Sequence, residues 1–137
     1  IMIEILFYNS KRIPIMCWSG SLLNDNKENT LYFKVKAEKS IFIVSTVCKT
    51  CCKDLLAFEK HIQLLYEERV NKVTFASSDG LLRIELKREE YGRIKQYFFI
   101  MEESTKSFIE IIDYFDQTFL PELKDNIEGI IVGMNNK

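Results

Sequence analysis

The chain is poor in the residues that most catalytic sites are built from. It has one histidine and five glycines in 137 residues. A single histidine leaves little room for a base and its orienting partner. His61 also stands beside the apolar stripe of an expected helix, so a surface or boundary role fits it better than a ligand role. With glycine so sparse, neither a Walker loop nor a Gly-x-Gly-x-x-Gly turn is present, and no phosphate cradle is visible. No apolar run reaches the roughly 18 residues that span a bilayer. Ile1 to Tyr8 has neither a basic flank nor a small-residue cleavage site, so it reads as a strand rather than a secretory signal. Net charge is −1, without the basic excess that phosphate-binding proteins usually carry.

Four cysteines are present, Cys17, Cys48, Cys51 and Cys52. In the absence of an export signal they are expected to be reduced thiols. Cys48-x₂-Cys51 has the spacing of half a zinc knuckle, but the second half is missing. On one helix, His61 would stand about 14 Å from Cys51 or Cys52, too far for a Cys–His pair. No metal and no cofactor are therefore expected, and no enzymatic activity. Paired acids such as Glu67-Glu68 and Glu89-Glu90 read as solvated surface.

What the sequence does carry is period. Leu31, Phe33, Val35 and Ala37 alternate with Tyr32, Lys34 and Lys36, which predicts a strand with one wet face. Strands are also predicted at Met2–Tyr8, Ile13–Trp18, Val73–Ala76, Leu81–Lys87, Ile94–Met101 and Ser107–Phe115. Ile41–Cys48 is apolar on both faces and reads as a central strand covered on both sides. Pro14 confines its strand to an edge or a strand start. The period then changes: Leu55, Phe58, Ile62 and Leu65 predict a helix over about 52–69. Asp79-Gly80 predicts a hairpin turn. A final helix is expected with Thr118 as its cap, Pro121 in its first turn, and Leu120, Leu123, Ile127 and Ile130 as its stripe. Asn24–Asn29 reads as a polar loop, and Met134–Lys137 as a frayed tail.

The expected architecture is one α+β domain over residues 1–137. It consists of an antiparallel β-sheet meander packed with one long central helix and a C-terminal helix.

Charge is unevenly distributed. From Glu102 to Glu128 eight acids face two bases, a net of −6 in a chain of net −1. A local negative surface suits a basic partner. The candidate partner-binding residues are Glu102, Glu103, Glu110, Asp113 and Asp116, with the aromatics Tyr91 and Tyr114; Phe119 is a further anchor candidate. A competing expectation is single-strand nucleic-acid binding by a sheet face carrying Tyr32, Lys34, Lys36 and Arg83.

Three segments carry a family resemblance. They are Leu64-Leu65-Tyr66-Glu67-Glu68 leading to Ser77-Ser78-Asp79-Gly80-Leu81, then Gly92-Arg93-Ile94, then Phe115-Asp116-Gln117-Thr118-Phe119-Leu120. In that order they resemble the WapI-like immunity proteins of bacterial polymorphic and contact-dependent growth inhibition toxin systems. The resemblance spans roughly residues 30–131. The N-terminal part, with Cys17-Trp18-Ser19-Gly20, departs from the pattern. The resemblance implies a cytoplasmic, non-enzymatic protein that binds and neutralises the C-terminal domain of a cognate toxin; the toxin expected is a nuclease, with a tRNase as one option.

Overall fold

A computed structural model describes residues 2–21 and 30–135. The polar run 24–29 lies outside the described residues. Eight strands and two helices follow in chain order: β1 (Met2–Tyr8), β2 (Pro14–Ser21), β3 (Thr30–Lys39), β4 (Phe42–Cys51), α1 (Cys52–Tyr66), β5 (Lys72–Ala76), β6 (Leu82–Arg88), β7 (Arg93–Met101), β8 (Phe108–Asp116) and α2 (Leu120–Asn135). The α+β class and all eight strands agree with the sequence reading. The expected single meander with one long central helix does not. There are two four-stranded antiparallel sheets, β1-β2-β3-β4 and β5-β6-β7-β8, and the helices are short, 15 and 16 residues.

The two sheets join through large side chains of their inner faces. Leu31, Phe33, Val35 and Ala37 of β3 are buried as the alternation predicts. Trp18 is fully buried and lies 4.6 Å from Phe33 and 5.4 Å from both Phe7 and Phe75, ring to ring. Phe75 stacks on Phe58 of α1 at 4.9 Å, and Phe7 meets Phe98 edge-on at 5.6 Å. These contacts cross from β1 and β2 to β5 and β7, and on to a helix. Gln96 bridges the same interface, its Nε2 donating to the Tyr8 carbonyl at 2.8 Å.

The helices bury the stripes the sequence shows: Leu55, Phe58, Ile62 and Leu65 on α1, and Leu120, Leu123, Ile127 and Ile130 on α2. They pack on each other, with α1 also against β5 and α2 against β1. No helix among the described residues is long and apolar enough to cross a membrane.

Three local expectations need correction. The first helix ends at Tyr66 rather than 69. Glu68 takes φ of 62°, and the amide of Arg69 turns back to the Leu64 carbonyl. Met134 is buried in α2 rather than part of a frayed tail. The cap before α2 is Asp116, not Thr118: its carboxylate accepts from the Thr118 amide at 2.9 Å, opening the 3₁₀ turn Gln117–Phe119. A carboxylate accepts such a bond better than a hydroxyl does, and Asp116 already stands outside the helical backbone.

The largest correction concerns β4. It is not a covered central strand but the edge of the first sheet. Phe42, Ile43 and Val47 are exposed on it, and Ile41 is 86% exposed in the turn before it. Hydrophobicity on both faces resembles a buried strand in sequence, and only pairing distinguishes the two.

Two tests follow. Phe75→Ala removes a ring shared by both sheets and α1, and should cost about 3–5 kcal/mol, read from urea unfolding by the fluorescence of the single, buried Trp18. Asp116→Ala should cost about 1 kcal/mol or less given its exposure, and Asp116→Asn much less. The Thr118 amide holds the Asp116 carboxyl below its usual pKa. Its contribution is therefore complete above about pH 4 and is lost as pH falls through the depressed value. The stability gap between the native chain and Asp116→Ala should close in that acid range.

Candidate functional site

The thiols do not assemble into a site. Cys48 faces inward on β4 and is buried, and burial pushes its thiol pKa up to about 12. Cys51 and Cys52 sit at the junction of β4 and α1. Among the described residues no three His, Cys, Asp or Glu side chains are grouped as metal ligands. His61 is exposed on α1, beside Asp54 and Thr74.

The five acidic candidates separate into four places. Glu102 and Glu103 occupy the β7–β8 turn, where Glu102 accepts from the Ser104 hydroxyl at 2.7 Å. Glu110 stands on the outer face of β8 and accepts the Tyr97 hydroxyl; that bond is the main reason the Tyr97 pKa is raised. Asp113 is on the inner side, pairs with Lys39 at 3.5 Å, and also accepts from the Tyr114 amide at 2.8 Å. Asp116 is at the far end. Nine strand residues place it roughly 27 Å from the Glu102–Glu103 turn. The seven candidates therefore do not form one surface.

Three of them do converge. Tyr91, Asp116 and, through Arg93, Tyr114 meet at the end of the second sheet. There an open groove of about 630 Å³ is lined by Ser10, Glu89, Glu90, Tyr91, Arg93 and Asp116 over the Phe115 ring. The Arg93 guanidinium lies 4.3 Å above the Tyr114 ring. Three carboxylates against one guanidinium leave the rim negative.

Tyr91 dominates this groove. Its side chain is 98% exposed, so it adds nothing to the core. Its backbone is nonetheless held at φ 62°, ψ 33°, a left-handed conformation that costs a non-glycine residue about 1–2 kcal/mol. The next residue, Gly92, is at φ +72°, and a Cβ there would come within 2.9 Å of the Gln117 side chain. Gln117 in turn accepts from Arg88, which also donates to the Leu65 carbonyl at the end of α1. The turn is thus fixed from below by Gly92, Gln117 and Arg88 while its ring points into solvent.

The sequence reading named Tyr91 and Asp116 here but took Glu89 and Glu90 for ordinary solvated surface. The available signal was Gly92, since a tight turn between two strands presents whatever precedes its glycine.

The basic residues are also divided. Tyr32, Lys34 and Lys36 share the outer face of the first sheet, with Lys49 opposite Tyr32. Arg83 is on the other sheet, over the Phe99 ring at 5.7 Å. The second sheet's outer face has its own row, Lys72, Lys87 and Lys95, directly abreast across three strands.

Comparison with protein-family models finds no match, and comparison with curated proteins finds none. Among solved structures the chain is similar to one in the crystal structures of Trypanosoma bruciei MRP1/MRP2, at 10% identity and a TM-score of 0.49, covering 98% of this chain and 85% of that one.

Proposed function

We propose that this protein is an immunity protein: it binds a cognate toxin domain in the cytoplasm, neutralises it, and performs no chemistry of its own. The observation that carries the reading is Tyr91, a fully exposed aromatic on a left-handed backbone at the rim of an acidic groove. Strain at an exposed side chain is unfavourable for the free protein, and it persists where the displayed group is used. An exposed tyrosine on a fixed turn, with carboxylates along the same groove, suits a partner with an apolar socket in a basic surface. A nuclease has such a surface because it grips phosphates. Occupying it with Glu89, Glu90 and Asp116 competes directly with the nucleic acid.

A second reading rests on the lysine row Lys72–Lys87–Lys95. Like charges abreast are unfavourable unless a polyanion lies over them. Tyr97 and Phe99 stand beside the row on the same strand as Lys95 and offer stacking faces. Against this, Lys72 already pairs with Glu85 at 3.9 Å.

Co-expression tests the first reading. The C-terminal domain of the toxin encoded next to this gene should kill cells alone and be harmless with the native protein. Tyr91→Gly should weaken the complex by about 30-fold or more, while leaving stability equal or up to ~1 kcal/mol higher because the left-handed strain is relieved. Glu89→Lys with Glu90→Lys should slow association, most of all at low salt. A purified pair that forms no complex refutes the proposal. The second reading predicts binding to a labelled single-stranded oligonucleotide that weakens steeply with salt and is lost in Lys87→Glu with Lys95→Glu. No binding at low salt removes it.

A further inference from the structure

The two sheets have four outer edges, and the fold treats one of them differently. β1 lies beside α2 and β5 beside α1. On β8, the Ile112 carbonyl accepts from Lys39 and the Tyr114 amide is taken by Asp113, so the Lys39–Asp113 pair occupies that edge. Glu110 and Asp116 add charge along it. Such devices are how proteins block unwanted strand pairing.

β4 has none of them over its middle. Its register with β3 runs unbroken through ten residue pairs, so backbone groups alternate strictly between the two sides. Lys49 fixes the phase. Its amide donates to Asp79 and its carbonyl accepts from the Ser78 amide, both in the β5–β6 turn, so Lys49 points away from β3. Ile43, Ser45 and Val47 must then point the same way. Among the described residues nothing bonds their N–H and C=O groups. Between Phe42 and Thr46 the strand carries no charge, no proline and no bulge, and Ile43 and Val47 are 63% and 60% exposed.

We propose that this edge is a two-fold interface with a second copy of the same chain, β4 pairing antiparallel with its mate about Ser45. The register is self-complementary. Ser45 faces Ser45 of the mate, and Ile43 faces Val47 twice, so all three outward-pointing residues meet outward-pointing partners. Three such pairs exchange about six backbone hydrogen bonds. Ile43 and Val47, both β-branched, cover each other on the outer face. Phe42 falls opposite Cys48 on the inner face. The flanking strands fit as well. Glu38 lies beside Ile43 and Lys34 beside Val47 within one chain. Across the dimer the two outer rows therefore run Glu38, Ile43, Val47, Lys34, with opposite charges at their ends and apolar contact at their centres, and the central row runs Lys36, Ser45, Ser45, Lys36. No like charges are opposed in the new pairing, as an isologous interface requires. The Tyr91 groove is built on residues of the β1–β2 and β6–β7 turns, β7 and β8 that this pairing does not use, so the dimer leaves it free.

Sedimentation velocity of the purified full chain across a wide concentration range tests this. The native chain should sediment as a dimer. Val47→Lys, at an exposed position, should sediment as a monomer with its buried Trp18 emission unchanged. Ser45→Pro, which removes an outward N–H without touching the β3 ladder, should do the same. Tyr91→Gly should remain dimeric, which separates this proposal from the toxin reading. A native chain that stays monomeric at every concentration overturns the proposal, as does a dimer that survives Val47→Lys. A monomeric native chain whose toxin binding is lost in Val47→Lys would assign the edge to the partner instead.

Discussion

The burial of Trp18 between two sheets is the contact on which the remaining structure depends. Its ring touches Phe7 and Phe33 of its own sheet and Phe75 of the other, and Phe75 passes the contact to Phe58 of α1. Aromatic side chains bury large areas with few internal degrees of freedom, so a cluster of them fixes relative orientation as well as supplying stability. The Gln96 amide set among the rings, donating to Tyr8, adds a directional bond that rings alone do not supply.

That constraint determines which surfaces remain outside the core. With both inner faces committed to the core, the outer sheet faces, edges, strand ends and outward helix faces stay accessible. The helices pack against β1 and β5, and the Lys39–Asp113 pair lies on the β8 edge. The acidic groove then arises at a strand end, where the β6–β7 turn meets the start of the β8–α2 connection. Arg88 ties both to α1, so the position of Tyr91 is set by the core a few residues away. Rigid support beneath an exposed ring lowers the entropy lost on binding.

The acidic stretch shows how one sequence feature separates in space. Glu102 to Glu128 is continuous in the chain, yet its members serve a turn, a tyrosine bond, an edge pair and a helix cap. Alternation along β8 sends neighbours to opposite faces, and the strand's length separates its ends. Meanwhile Glu89 and Glu90 join Asp116 across a gap of more than twenty residues, because β7 and β8 pair antiparallel and bring Arg93 opposite Asp116.

Periodicity alone determined the strands, the two apolar helix stripes and the Asp79–Gly80 turn, because each depends on residues a few positions apart. Tertiary structure decided the rest. It split eight strands into two sheets, a choice set by which apolar faces meet and not by local pattern. It made β4 an edge although its composition matches a buried strand, because pairing is a property of the neighbour. It also separated Tyr91 from the other candidate tyrosine, Tyr114, since exposure and a left-handed backbone become visible only once Gly92, Gln117 and Arg88 are brought together.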